Sequence, residues 1–177
     1  MPVRLIIPDT THIFGILISR FQVPVIVCAI SLLLGCSHPV KQNIVYQQSN
    51  ANGILFRAIS LVGVPYRYGG NTPEGGFDCS GLVNYVFRDV MGINLPHSAA
   101  EMNQLNLTSI SQDNLVGGDL LFFHDDSDRI AHVGIYVGEQ RFVHAPNNGG
   151  TVRLDNLNQA YWKSHFSGAK RLSAPIR

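Results

Sequence analysis

Cysteine is scarce in this sequence, and neither sign of charge is in surplus. The 177 residues contain three cysteines, and 13 Lys and Arg are balanced by 12 Asp and Glu. Without a basic excess the chain lacks the electrostatic footprint of nucleic-acid binding, so no nucleic-acid partner is expected. H-E-x-x-H and C-x-x-C spacings are also missing. A zinc site therefore stays an alternative without a motif, and no cofactor is expected.

The N-terminal region has no apolar run long enough to span a bilayer comfortably. Residues 23–36 read VPVIVCAISLLLGC. Their apolar core of about 12 residues is shorter than the roughly 20 that a spanning helix needs. Arg20 precedes the stretch and Gly35 lies near its end. This pattern is typical of an export signal.

The ending LLGC resembles the lipobox of bacterial lipoproteins. The resemblance implies that residues 1–36 are a lipoprotein signal peptide ending at Cys36, which is lipidated and becomes the new N-terminus. Ser37 is not acidic, which by the same resemblance favours an outer-membrane anchor facing the periplasm. An uncleaved membrane anchor is the alternative. Residues 37–52 are polar and rich in Gln and Asn, so they are predicted to form a flexible tether before a domain spanning residues 53–177.

The remaining thiol of the processed protein, Cys79, has no partner for an intramolecular disulfide. An exported protein usually pairs or loses its cysteines, so a retained thiol needs a reason. An apolar stripe at helical spacing follows Asp78 and consists of Leu82, Val83, Val86, Phe87 and Val90. A helix that begins there has Cys79 in its first turn, where the positive helix end stabilises a thiolate. Taken by itself, such a cysteine is more often a small buried hydrophobe.

Helical patterns precede strand patterns along the chain. Apolar residues repeat at helical spacing from Ile54 to Val62, and a second short helix is predicted after LPHS. Later segments are short, aromatic and β-branched, with turn residues between them: 119–123, 132–138 and 141–145. This order predicts an α+β fold with an antiparallel sheet.

Two histidines fall on the predicted strands. Val133, Ile135 and Val137 form the obvious core face of one strand, which leaves His132 on the other face. For His144 to orient His132, both must lie on the same face of a hairpin, which requires an odd number of loop residues.

We predict such a loop, for instance the three-residue turn 138–140 with Val137 paired to Arg141. His132 would then lie between Cys79 and His144. One thiol and two histidines are the parts of a nucleophile, base and orienter system.

Five stretches occur in order: PYRYGG, FDCSGLV, GGDLLFF, HVGIYVG and FVHA. Together they look like the NlpC family of papain-like cysteine peptidases that act on bacterial cell wall, over roughly residues 53–173. The resemblance implies a papain-like fold, with the nucleophile at a helix start packed on an antiparallel sheet. It implies Cys79 as the nucleophile, His132 as the base and His144 as the residue that orients the base.

The same resemblance implies the surroundings of the nucleophile. Tyr66 matches the family tyrosine near the oxyanion site, with neighbouring Tyr68 as the alternative. Asp78 and Ser80 flank Cys79 as substrate-binding or oxyanion residues.

The implied function is a cysteine endopeptidase that hydrolyses amide bonds in the peptide stems or crosslinks of bacterial peptidoglycan through an acyl-enzyme. A monomer held to the membrane by its lipid is expected. The sequence departs from the family pattern at His97, where arginine is common after LP, and at Gly117, where proline is common before GD. Two alternatives stay open: an acyltransferase or amidase acting on another amide, and a lipoprotein that binds the wall without cutting it.

Overall fold

The computed structural model describes residues 40–147 and 150–172. The predicted signal peptide, its lipobox cysteine and residues 37–39 lie outside the described residues. The helices of the described part are α1 (Val40–Ser60), α2 (Cys79–Met91), α3 (Ala99–Gln104) and α4 (Ala160–His165). Within that part, no helix is both long and apolar enough to cross a membrane.

Most of the described strands follow α3 in the chain. The strands are β1 (Asn71–Thr72), β2 (Gly76–Phe77), β3 (Thr108–Ile110), β4 (Leu120–His124), β5 (Ile130–Gly138), β6 (Arg141–His144), β7 (Arg153–Asn156) and β8 (Phe166–Arg171). Six of them form an antiparallel sheet in the order β3–β8–β4–β5–β6–β7, and β1 pairs with β2. The predicted α+β class with an antiparallel sheet is confirmed.

Both faces of the sheet are covered. Val133 and Ile135 pack with the apolar stripe of α2, as the strand alternation predicts. On the other face Tyr136 and Phe142 pack with Trp162 of α4 in a second apolar cluster. The sheet therefore separates the helix that carries the cysteine from a smaller aromatic layer.

The first helix contradicts the predicted tether. Because α1 begins at Val40, residues 40–52 are helical rather than flexible. The segment contains no proline, and Gln and Ala propagate a helix well, so a helix anchored by buried Ile54 extends towards the N-terminus. Gly53 lets α1 approach α2 closely. A Cβ at position 53 would lie only 2.9 Å from Val90 Cγ1.

The β5–β6 hairpin has the predicted parity. Ile135 pairs with Val143 and Tyr136 with Phe142. Both pairs have an even sum of residue numbers, so residues 132 and 144 share a face of the sheet.

The predicted three-residue turn, however, is wrong. Gly138 pairs with Arg141, which leaves a two-residue turn whose residues, Glu139 and Gln140, have φ values of 52° and 57°. Val137 is then the extra residue of a bulge, since the register shifts between positions 136 and 138. The bulge restores the parity that a two-residue turn alone would break.

Candidate active site

Asp78 fixes the start of α2. Its Oδ1 accepts a hydrogen bond from the Gly81 N–H at 2.7 Å, and its Oδ2 accepts one from the Gly69 N–H at 2.9 Å. An aspartate at this N-cap position satisfies amides that the helix itself leaves free. The helix therefore begins with Cys79 in its first turn, as predicted.

Gly81 has a packing role at this helix start. A Cβ on Gly81 would lie 2.0 Å from the Gly70 carbonyl oxygen. The same oxygen accepts a hydrogen bond from the Asp78 N–H at 3.0 Å. Because the loop before α2 lies directly against the first helical turn, only glycine fits at position 81.

The Cys79 thiol is half-buried beside β5. The backbone N–H groups of Val133, Ser80 and Cys79 itself lower the pKa of the Cys79 thiol, as the helix-start hypothesis expects. Burial nevertheless raises the pKa of the Cys79 thiol to about 11, and the Asp78 carboxylate acts in the same direction. The expectation of a lowered thiol pKa is therefore wrong, because desolvation outweighs the favourable amides.

His132 and His144 contact each other directly. His132 Nε2 lies 2.9 Å from His144 Nδ1, and the two rings are nearly perpendicular. Burial lowers the pKa of His132 to about 3, and positive charge at His144 and Arg153 acts in the same direction. Burial also lowers the pKa of His144 to about 4, although its hydrogen bond to Asp155 opposes this. Both rings are neutral near pH 7, the form in which His132 can accept a proton.

Asp155 is a site residue that the sequence analysis missed. Its Oδ2 accepts hydrogen bonds from His144 Nε2 at 2.9 Å, Arg153 Nε at 3.0 Å and Trp162 Nε1 at 2.9 Å. Burial alone would raise the pKa of Asp155, but the hydrogen bonds from Arg153 and His144 hold it below its ordinary value. Trp162 also stacks on His132, with ring centroids 5.4 Å apart. The Asp155 carboxylate thus connects His144, Arg153 and Trp162, and Trp162 in turn contacts His132.

A weak signal for this carboxylate exists in the sequence. Residues 153–156 read RLDN, so Arg153 and Asp155 share one face if the segment is a strand. That face becomes part of the site only because β7 pairs with β6, with Asp155 opposite Phe142 and Arg153 opposite His144. Local alternation could suggest the shared face but not this partner strand.

A family model described as the NlpC/P60 family matches residues 63–171. The chain belongs to the NlpC/P60 family.

Relatives of this NlpC/P60 chain are named as cell-wall enzymes. It is 41% identical over 121 residues to murein DD-endopeptidase MepH of Escherichia coli, a match that covers 67% of the chain and 45% of MepH. It is 37% identical over 139 residues to the E. coli protein named murein DD-endopeptidase MepS/murein LD-carboxypeptidase, covering 78% of the chain and 72% of that protein. The chain thus spans less than half the length of MepH.

A solved structure of an NlpC/P60 family protein from Bacillus cereus has the same fold. It superposes with a TM-score of 0.64 at 28% identity, covering 68% of this chain and 39% of the other. The predicted papain-like fold is confirmed.

The two tyrosines named from the NlpC/P60 pattern have different surroundings. Tyr66 is half-buried. Burial raises its pKa, and negative charge at Asp78 and Cys79 adds to the effect. Tyr68 is 89% exposed. Tyr66 is therefore the tyrosine whose pKa responds to charge at Cys79, and it is the one expected near the oxyanion site.

Asp78 and Ser80 have partners inside the protein. The Ser80 hydroxyl is buried and lies 3.0 Å from Asp78 Oδ1 and 2.9 Å from the His97 carbonyl oxygen. These contacts give both side chains a role in anchoring the start of α2. Their predicted contact with substrate or oxyanion stays a prediction.

The two departures from the NlpC/P60 pattern have separate settings. His97 is exposed, and its Nε2 lies 3.1 Å from Asn84 Nδ2 of α2. Gly117 packs against α1, since a Cβ there would lie 2.4 Å from Leu55 Cδ1. The first departure thus lies beside the nucleophile helix, whereas the second is a packing substitution.

No metal-binding cluster supports the zinc alternative in the described ranges. Among residues 40–147 and 150–172, no group of three or more His, Cys, Asp or Glu side chains is arranged to hold a metal ion.

Proposed function

We propose that this NlpC/P60 protein is a cysteine peptidase that hydrolyses amide bonds in the peptide stems or crosslinks of bacterial peptidoglycan. The single observation that carries the proposal is the contact between His132 Nε2 and His144 Nδ1 at 2.9 Å. His132 adjoins Val133, whose backbone N–H lowers the pKa of the Cys79 thiol. These observations support a site in which a thiol, a base and an orienter act together. The names of the relatives support the substrate class.

The reaction begins from neutral partners. Since burial keeps the thiol protonated and His132 unprotonated, the proton leaves the sulfur as the sulfur attacks the amide carbonyl. His132 accepts it on Nδ1, the ring nitrogen not joined to His144, and a carbon–sulfur bond forms. The negative charge that develops on the carbonyl oxygen is stabilised by the Cys79 N–H, with the Tyr66 hydroxyl as a second donor.

Collapse of this adduct breaks the carbon–nitrogen bond. His132 gives its proton to the leaving amine, and the acyl group remains on Cys79 as a thioester. Water, deprotonated by His132, then attacks the thioester and releases the acid with the free thiol. Loss of one oxyanion donor from such a site costs about 10²–10³ in rate.

We also propose that a lipid on Cys36 holds the protein in the outer membrane, facing the periplasm, as a monomer. The apolar run ending in LLGC supports this location. Cys36→Ala removes the sulfur that a lipid thioether requires, so metabolic labelling with a fatty acid should mark the wild type and leave the variant unlabelled. Equal labelling of both would contradict the anchor.

The activity is tested with purified peptidoglycan sacculi and the detergent-solubilised protein. Mass spectrometry of the released fragments should reveal a new amine and a new carboxylate at one bond of the stem or crosslink, and no fragments with Cys79→Ala. Transfer of the acyl group to an added amine without hydrolysis would instead indicate the acyltransferase. Retention on sacculi without any change in fragment mass would indicate a wall-binding protein.

A further inference from the structure

We propose that Asp155 is a positioning residue that fixes the tautomers of both histidines, so that His132 presents an unprotonated Nδ1 to Cys79. This inference rests on the proposed function of the Cys79–His132 pair. It concerns Asp155, which is separated from the thiol by the two histidines and makes its hydrogen bond to His144.

The Asp155 carboxylate determines which nitrogen of His144 carries the proton. Asp155 is ionised, because hydrogen bonds from Arg153 and His144 hold its pKa below the ordinary value, and an ionised carboxylate only accepts hydrogen bonds. The contact between Asp155 Oδ2 and His144 Nε2 at 2.9 Å therefore requires a proton on that nitrogen. In a neutral imidazole the other ring nitrogen is then an acceptor.

The same constraint extends to His132 through the hydrogen-bonded series Asp155–His144–His132, which forms a relay. The acceptor, His144 Nδ1, lies 2.9 Å from His132 Nε2. His132 must therefore carry its proton on Nε2 and leave Nδ1 unprotonated. The opposite tautomers would place a hydrogen on His132 Nδ1, where it blocks proton transfer from the thiol. The carboxylate thus selects the tautomer that can act as a base.

Neighbouring donors hold the carboxylate oxygen in place. In the described chain, the hydrogen bonds to the Asp155 side chain converge on Oδ2, from Arg153, Trp162 and His144. Arg153 contacts this oxygen with Nη2 as well as Nε, at 3.0 Å each. Trp162 binds the carboxylate and also stacks on His132. Asp155 Oδ2, which accepts the hydrogen bond from His144 Nε2, is therefore held in place by Arg153 and Trp162.

Two substitutions separate the charge of Asp155 from its hydrogen-bond acceptor. Asp155→Asn keeps an oxygen where the three donors converge, so both tautomers should persist while the charge is lost, and kcat should fall about tenfold. Asp155→Ala removes the acceptor, so the tautomers should mix and kcat should fall about 10²–10³-fold with KM changed less than about threefold. The split between kcat and KM reflects a relay that does not touch substrate.

Asp119→Asn is the matched control. Asp119 is paired with Arg171 at 2.7 Å and is 1% exposed, against 12% for Asp155, so it is a more buried aspartate with an arginine partner outside the histidine relay. This variant should lose stability but retain the tautomers and the kcat of the wild type.

The decisive measurement is ¹⁵N NMR of histidine-labelled full-length protein in detergent, with His132 and His144 assigned by His→Gln variants. Wild type and Asp155→Asn should both carry protons on Nε2 of the two rings, and Asp155→Ala should mix the forms. A folded Asp155→Ala variant with both rings still protonated on Nε2, or equal changes in Asp119→Asn, would overturn the inference.

The NMR measurement needs no substrate. A wild type that leaves sacculi intact would therefore refute the proposed function without affecting the tautomer result.

Discussion

The nucleophile and the histidines of this site are held by contacts of different range. Cys79 is placed by neighbours in the chain, since Asp78 caps an amide three residues later and Gly70 packs against the same helical turn. His132 and His144 are 12 residues apart, and Asp155 lies a further 11 residues away. The thiol thus depends on a helix cap, whereas the histidines depend on the register of three adjacent strands.

This difference separates two ways in which the site can fail. A change at the cap moves the sulfur relative to an intact relay, while a change in the strands alters the base and leaves the sulfur in place. The electrostatic settings differ as well. Backbone N–H groups oppose the effect of burial on the thiol pKa, whereas at His132 the group that opposes burial is the Asp155 carboxylate.

The largest expected effect comes from the nucleophile. Cys79→Ala should reduce hydrolysis of sacculi by about 10⁴-fold or more, because the covalent route is lost while the relay remains. Circular dichroism and thermal unfolding should be nearly unchanged, since only a sulfur atom is removed. Activity of the wild type should survive a chelator. Inactivation by the chelator with recovery on adding zinc would contradict the thiol mechanism.

The next effect comes from the strand side. His144→Ala should lower kcat about 10²–10³-fold, because His132 loses the acceptor that orients it. His165→Gln is the control, since His165 is half-buried and bonded to Tyr161 and Asp126 outside the relay. Steady-state kinetics on a soluble stem peptide would measure both. Equal losses in the two variants would remove His144 from the mechanism.

The same contrast explains what the sequence could predict. The start of α2 follows from Asp78 and an apolar stripe, because caps and helical period are local properties. Asp155 could not be assigned to the site, because its role depends on which strand lies beside β6.

The hairpin turn illustrates the limit. Glu139 and Gln140 adopt left-handed φ values without the Asn-Gly or Asp-Gly pair that usually signals such a turn. The sequence therefore offered no reason to prefer a two-residue turn, and the compensating bulge at Val137 has no local signature. The helix over residues 40–52 was missed for a related reason, since this polar stretch is helical by extension from a packed segment rather than by its own pattern.

A smaller effect tests the packing at the cap. Gly81→Ala should lower the free energy of unfolding by about 1–3 kcal/mol, because its methyl group overlaps a backbone carbonyl that cannot rotate away. Gly75→Ala is the control, since a Cβ there meets only the Thr72 side-chain oxygen, at 3.0 Å. Urea unfolding of both variants gives the comparison. Equal free energies of unfolding of the two variants would indicate that the loop before α2 moves to accommodate the added methyl group.

An effect that is absent at neutral pH and appears only in acid is a pH dependence that belongs to the strand side. In the folded protein burial lowers the pKa of His132 to about 3 and of His144 to about 4, from 6.5. Between about pH 6.5 and these values the unfolded chain binds more protons than the folded one. The stability conferred by the neutral rings is therefore fully present above pH 6.5 and is lost as pH falls through this window.

His132→Gln tests this origin of the acid sensitivity by removing one of the two groups. The slope of unfolding free energy against pH should decrease by up to about 1.4 kcal/mol per pH unit. Hydrogen bonding to Tyr161 and Asp126 raises the pKa of His165, so His165→Gln should leave the protein at least as sensitive to acid as the wild type. Urea unfolding between pH 4.5 and 7.5, roughly the window set by these groups, measures all three proteins. A wild-type slope in His132→Gln, or a flattened slope in His165→Gln, would mean that the acid sensitivity arises outside the buried relay.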